Sequence, residues 1–183
     1  MKKVVLIAAV ALAALSLVAA AALARGDDRG SHKAFLTGYD EVVGGAGPTS
    51  TGSVSTPGTG RLTLRIKSDG IHFRLRYEQL EGGAATVAHI HFAQRHVGGG
   101  IVADLCGGSE DVCDGDISGI ITPEEIDGPV AQGIPLGAAG YAEALKAIRV
   151  GATYANVHTP TYPEGEIRGQ IGRGHGNGNR GRG

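Results

Sequence analysis

The sequence predicts an all-β fold with one or two short helices, and three observations carry that prediction. Between Arg61 and Leu80, Leu62, Leu64 and Ile66 alternate with Thr63, Arg65 and Lys67. After the Ser68-Asp69-Gly70 turn, Ile71, Phe73, Leu75 and Tyr77 alternate with His72, Arg74, Arg76 and Glu78. A period of two on both sides of a turn is a hairpin with one apolar and one solvated face. The second observation is Tyr154–Ile171. Tyr154, Asn156 and His158 point one way and Ala155, Val157 and Thr159 the other. Pro160 and Pro163 stop pairing, Glu164-Gly165 turns the chain, and Glu166, Arg168 and Gln170 then alternate with Ile167 and Ile171. The third is the 32 glycines in 183 residues, which demand frequent turns.

The N-terminus stands apart. Lys2 and Lys3 precede an apolar run from Val4 to Ala22 broken only by Ser16, and Ala22-Leu23-Ala24 is followed by Arg25-Gly26-Asp27-Asp28. This is the pattern of a secretory signal peptide over 1–24. An uncleaved membrane anchor is the alternative for a run of that length, and the only membrane contact the sequence suggests. A single domain is expected over 25–171. The segment Gly172–Gly183 has no apolar residue and is expected to be a disordered Gly/Arg-rich tail. The expected location is secreted, periplasmic or at the cell surface.

Charge and composition narrow the partners. Lys+Arg number 17 and Asp+Glu 18, so no bulk field draws the chain to nucleic acid or an anionic membrane. Aromatic residues are 4% and Trp is absent. The core is therefore aliphatic, and stacking platforms for bases or sugars are scarce. A nucleic-acid partner is not expected.

In chain order, Lys33–Thr37 reads as the first strand and 44–60, rich in Gly, Ser, Thr and Pro, as a long loop. The 61–80 hairpin follows, its basic outer face read as solvated and protected against edge aggregation. Ala84–Phe92 is the next strand, with Thr86, Ala88, Ile90 and Phe92 on one face and Val87, His89 and His91 on the other. Ile101–Leu105 and Asp116–Ile121 are short strands. Thr122, Pro123 and Glu125 have the spacing of a capping box opening a short helix that Gly128-Pro129 ends. A second helix is expected over 138–150, with Tyr141, Leu145 and Ile148 as its apolar stripe and Gly151 as its stop. Cys106 and Cys113 are the only cysteines. Outside the cytoplasm they are expected to form a disulfide rather than half of a metal site, since neither a Cys-x-x-Cys spacing nor an adjacent His is present.

Several segments together resemble the CHRD domain, first named from chordin. They are Ala88-His89-Ile90-His91, Asn156-Val157-His158-Thr159 and Gly165-Glu166-Ile167-Arg168-Gly169-Gln170. Ile120–Pro123, Gly128-Pro129, Gln132–Ile134 and the helix before Gly151–Tyr154 are similar to bacterial members. The resemblance runs from about Phe35 to Ile171. Leu36–Val43 keeps the frame of the family's opening motif without its two prolines. The resemblance implies an extracytoplasmic, immunoglobulin-like Greek-key β-sandwich.

The histidines are the candidate chemistry. His89 and His91, at i and i+2 on one strand, project from the same face about 7 Å apart. His158 is the natural third ligand. Three imidazoles suit Zn or Cu, with a fourth position open. The His-x-His strand is similar to the copper site of Cu/Zn superoxide dismutases, although the chain has no bridging His cluster and no zinc loop. The competing expectation is a hydrogen-bonded cluster, with His89 on backbone or carboxylate groups and His158 paired with Glu166. Glu166 and Arg168 are expected to form a structural polar network that fixes the sheet register. No Gly-x-Ser-x-Gly elbow supports a hydrolase, and Glu124 and Glu125 read as helix N-terminal charges. The sequence therefore favours a non-enzymatic binding or surface module for an extracytoplasmic ligand. The alternative is a Cu- or Zn-binding protein, or a metal-dependent oxidoreductase, using His89, His91 and His158.

Overall fold

In the computed structural model the described residues are 30–44, 52–108 and 112–174. The expected signal peptide over 1–24 and most of the expected tail lie outside them. Eight strands form one antiparallel sheet: β1 (His32–Thr37), β2 (Thr59–Lys67), β3 (Gly70–Glu78), β4 (Val87–Phe92), β5 (Gly100–Cys106), β6 (Asp116–Ile121), β7 (Thr153–His158) and β8 (Ile167–Arg173). Their spatial order is β5-β4-β7-β8-β1-β2-β3-β6. The sheet curls so far that its edge strands β5 and β6 approach each other, and the architecture is nearly a barrel.

The curl follows from the alternation. Leu36, Leu62, Leu64, Leu75, Ile90, Val157, Ile167 and Ile171 are all essentially inaccessible and line the concave side as one core. The convex side carries the alternate residues, among them exposed Arg65, Arg74 and Arg76. Arg74 and Arg76 both reach Asp116 on β6, at 2.7 and 3.1 Å. β8 lies so close to β1 that a Cβ on Gly169 would run into the Phe35 carbonyl. The helix α1 (Tyr141–Arg149) buries Ala144, Leu145, Ala147 and Ile148 in the core.

Four sequence expectations shift. The helix expected from Thr122 is a single 3-10 turn, Pro123–Glu125, in which the Thr122 N–H and hydroxyl both donate to Glu125 Oε2. The helix expected over 138–150 starts three residues late. Gly137, at φ 60°, sets a separate 3-10 turn, Gly137–Ala139, ahead of it. The strand expected from Ala84 starts at Val87; the Glu81 and Gly82 N–H groups in the bend before it go to a carboxylate. The sheet runs past 172, where the tail is expected to begin. Gly172 and Arg173 belong to β8, and Gly174 donates to the Ser31 carbonyl. Cys106 and Cys113 are disulfide-bonded, with Cα atoms 5.4 Å apart.

Candidate metal centre

Register settles which side chains meet. β4 and β7 pair with His89 opposite Asn156, His91 opposite Tyr154 and Val87 opposite His158. Antiparallel partners share a face, so both β4 histidines, His158, Asn156 and Tyr154 lie together on the convex side. β7 and β8 pair with Asn156 opposite Arg168 and Tyr154 opposite Gln170, which adds Arg168 and Gln170 to that face. Register shifts flank His89 in its pairing with β5, between Ala88 and His89 and between Ile90 and His91. Such shifts re-aim side chains.

The three imidazoles converge. Ring centroids are 5.4 Å apart for His89–His91, 4.9 Å for His89–His158 and 6.3 Å for His91–His158. One nitrogen of each ring lies within 4.8 Å of the others. Metal bonds of about 2.0–2.1 Å would place ligand nitrogens roughly 3.3–3.6 Å apart, somewhat closer than the widest of these separations.

The protons give this convergence a direction. His91 Nδ1 lies 2.9 Å from the Gly99 carbonyl, His158 Nδ1 3.0 Å from the Pro163 carbonyl, and His89 Nε2 3.4 Å from Asp104 Oδ1. Carbonyls only accept, so in the neutral rings His91 and His158 carry the proton on Nδ1. That leaves lone pairs on His91 Nε2 and His158 Nε2. His91 Nε2 is buried without a partner. His89 Nδ1 and His158 Nε2 face each other at 3.2 Å, and Asn156 Oδ1 lies 3.0 Å from the same His158 nitrogen. With His158 Nε2 an acceptor, the 3.2 Å contact is a hydrogen bond donated by His89 Nδ1–H. A second proton on any of the three rings is disfavoured. Burial, and for His89 also the neighbouring His158, holds His89 and His91 down at about 4, and burial lowers His158 too.

A second layer holds the rings. Tyr154 stacks on His91 at 4.8 Å with planes 5° apart. Arg168 places its guanidinium carbon 3.4 Å from the Tyr154 ring centre. The same guanidinium donates to the Gln94 and Val97 carbonyls, pinning the loop that supplies Gly99. A groove of about 580 Å³ opens over His91 and His158, bordered by Glu41, Tyr154, Asn156 and Glu164. Glu41 is buried there, and burial raises its pKa.

Glu166 is not part of this centre, and the expected His158–Glu166 pair does not form. The Glu166 carboxylate accepts four hydrogen bonds, from the Thr56 and Thr159 hydroxyls at 2.7 and 2.9 Å and from the Glu81 and Gly82 N–H groups at 2.7 and 3.0 Å. Burial alone would raise its pKa; these bonds outweigh burial and lower it. A Cβ on Gly82 would strike the Thr159 hydroxyl, so only glycine fits beneath the carboxylate. Glu166 and Arg168 are both ordered, but in two networks instead of the one expected, because Glu166 precedes β8 and turns into the 81–82 bend.

The sequence reading singled out all three histidines and missed their second layer. Asp104 was legible as a lone acid between buried Ala103 and Leu105. The Gly99 and Pro163 carbonyls carry no sequence signal. His72, expected on the solvated face, sits there with Asp69 at 2.8 Å.

No curated protein and no solved structure matches the chain. A family model described as the CHRD domain matches residues 33–171. That match spans most of the chain, includes all eight strands but for the ends of the first and last, and contains the three histidines with their second layer; the chain belongs to the CHRD domain family.

Proposed function

We propose that this CHRD domain is an extracytoplasmic metal-binding module, with Cu or Zn held by His89 Nδ1, His91 Nε2 and His158 Nε2. The observation that carries the reading is the use of the opposite nitrogens. His91 and His158 spend Nδ1 on carbonyl acceptors, and His89 Nε2 faces Asp104 at 3.4 Å. That arrangement fixes tautomer and orientation in metal-ligating histidines. Imidazole ligands suit Zn and Cu over Mg or Ca. Three protein ligands leave the coordination number below four, and the groove over His91 and His158 gives an exogenous ligand access. When bound, the metal supplies Lewis acidity, or one-electron chemistry if it is copper. The chain's residues orient the ligands and shield them from water.

The disulfide and the leader-like N-terminus support export, since thiols persist reduced in the cytoplasm. The pairing of β3 with β6, β4 with β7 and β8 with β1 supports reading the curled sheet as a Greek-key sandwich closed along the β5–β6 seam. The test is elemental analysis of purified protein loaded with Zn or Cu and desalted. One metal per chain is expected, falling to background in His89→Ala/His91→Ala. Background metal in the wild type would overturn the reading.

A further inference from the structure

We propose that Arg168 acts through the Tyr154 ring on the ligand His91 and biases the centre toward a metal of lower charge, Cu(I) over Cu(II). The inference rests on the metal centre proposed above and adds a role for a residue that cannot itself be a ligand. Arg168 is 2% exposed. Its guanidinium lies over one face of Tyr154 at 3.4 Å, and His91 covers another part of the same ring at 4.8 Å and 5°. Among the described residues no carboxylate forms an ion pair with it; its guanidinium donates to the Gln94 and Val97 carbonyls. The charged groups that it feels are Glu41, Asp40 and Arg95. Asp40 is engaged by Arg95 at 3.1 Å, and Glu41 Oε1 accepts from the Val42 N–H. Arginine stays protonated even when buried, so a fixed positive charge is held behind the stack.

The stack is built for this residue type. A planar guanidinium packs flat on an aromatic face and still donates in its own plane, which an ammonium cannot do. Through it, β8 fixes the plane of Tyr154, Tyr154 fixes the plane of His91, and the loop carbonyls fixed by the same guanidinium lie in the segment whose Gly99 orients His91 Nδ1. Arg168 is thus a positioning residue with an electrostatic consequence. A second unit of positive charge on the metal is disfavoured by a fixed cation on the order of 11 Å away, across the 3.4 Å and 4.8 Å steps of the stack and about 3 Å more from the His91 ring centre to a bound metal. At an effective dielectric near 20, that amounts to about a tenfold change in the Cu(II)/Cu(I) affinity ratio.

The experiment measures the one-electron Cu(II)/Cu(I) potential of the copper-loaded protein in wild type, Arg168→Gln and Arg168→Lys. Arg168→Gln should lower the potential by about 59 mV, the equivalent of a tenfold ratio. Arg168→Lys, which keeps the charge and loses the stacking plane, should stay near wild type in potential while binding both oxidation states more weakly. Equal weakening of Cu(I) and Cu(II) in Arg168→Gln, with the potential unmoved, would reduce Arg168 to a structural support and overturn the proposal. Absence of copper binding by the wild type would remove the centre itself, and the role of Arg168 with it. Should Arg168→Gln fail to fold, the wild-type potential is measured across ionic strength. A buried charge is little screened, so a constant potential is expected, and a salt-dependent swing as large as the predicted shift would assign the bias to surface charges instead.

Discussion

Replacing Glu166 with Gln removes one charge and changes almost no volume, so its cost isolates the hydrogen bonding. Each carboxylate oxygen takes two donors: Oε1 from the Thr56 hydroxyl and the Glu81 N–H, Oε2 from the Gly82 N–H and the Thr159 hydroxyl. In Glu166→Gln one arm becomes an NH2 group. The threonine hydroxyl facing that arm rotates and accepts, but the backbone N–H facing it, Glu81 or Gly82, has no such option. One buried donor is left unsatisfied, at about 1–3 kcal/mol, and the remaining bonds lose their charge assistance. The expected total is about 3 kcal/mol, read as a lower urea midpoint at unchanged m, or a melting temperature lower by roughly 10 °C. The pH dependence supplies a second check. Because the folded pKa of Glu166 is lowered, its stabilisation is present above the unfolded value near 4.3 and is lost as pH falls through the folded value. The wild-type and Gln curves should therefore converge in acid. A midpoint difference below about 0.5 kcal/mol at pH 7 would refute the assignment of Glu166 as the clamp joining residues 56, 81–82 and 159.

Three further outcomes are expected. Metal-free protein should lose stability as pH falls from 6.5 to 4. His89 and His91 are held at about 4 when folded, so the unfolded chain binds more protons across that window, on the order of 3 kcal/mol per ring; a flat profile from pH 7 to 4 in a denaturation series would contradict the burial of these rings. Asp104→Asn should weaken metal binding about 10–100-fold while leaving the metal-free urea midpoint nearly unchanged, because Asp104 is half exposed; competition with a chromophoric chelator measures it. Cys106→Ser/Cys113→Ser should cost roughly 2.5 kcal/mol for a loop of this length, and equal midpoints for the mutant and the oxidised wild type would show that the closed loop does not constrain the unfolded chain.

Strand identity was legible because an aliphatic core must alternate with a polar exterior. The hairpin of β2 and β3 and the strand β6 fall where their periods place them. The shared face of His89 and His91 was legible for the same reason. The approach of His158 to them was not, because it depends on β4 pairing with β7 across 69 residues, and period carries no information on which strands neighbour each other. The separation of Glu166 from Arg168 was equally hidden. By alternation they share a face, yet Glu166 lies ahead of β8, and three of its four donors come from Thr56 and the 81–82 bend, remote in sequence. The Tyr154 stack followed from register alone, since Tyr154 opposes His91 on one side and lies diagonal to Arg168 on the other. The helix expected over 138–150 falls short where Gly137, at φ 60°, opens a separate 3-10 turn ahead of it.

The metal centre is tested most directly by the melting temperature with Zn or Cu added to the metal-free protein. A ligand that binds only the native state stabilises it by about 2.7 kcal/mol at one hundred times its dissociation constant. For a domain of this size that is a rise of roughly 5–10 °C. The rise is expected in the wild type, abolished in His89→Ala/His91→Ala and in His158→Ala, and retained in His72→Ala, whose ring lies on the solvated face beside Asp69. A wild-type melting temperature that neither metal moves, with the three rings still folded together, would make them a hydrogen-bonded cluster and contradict the centre.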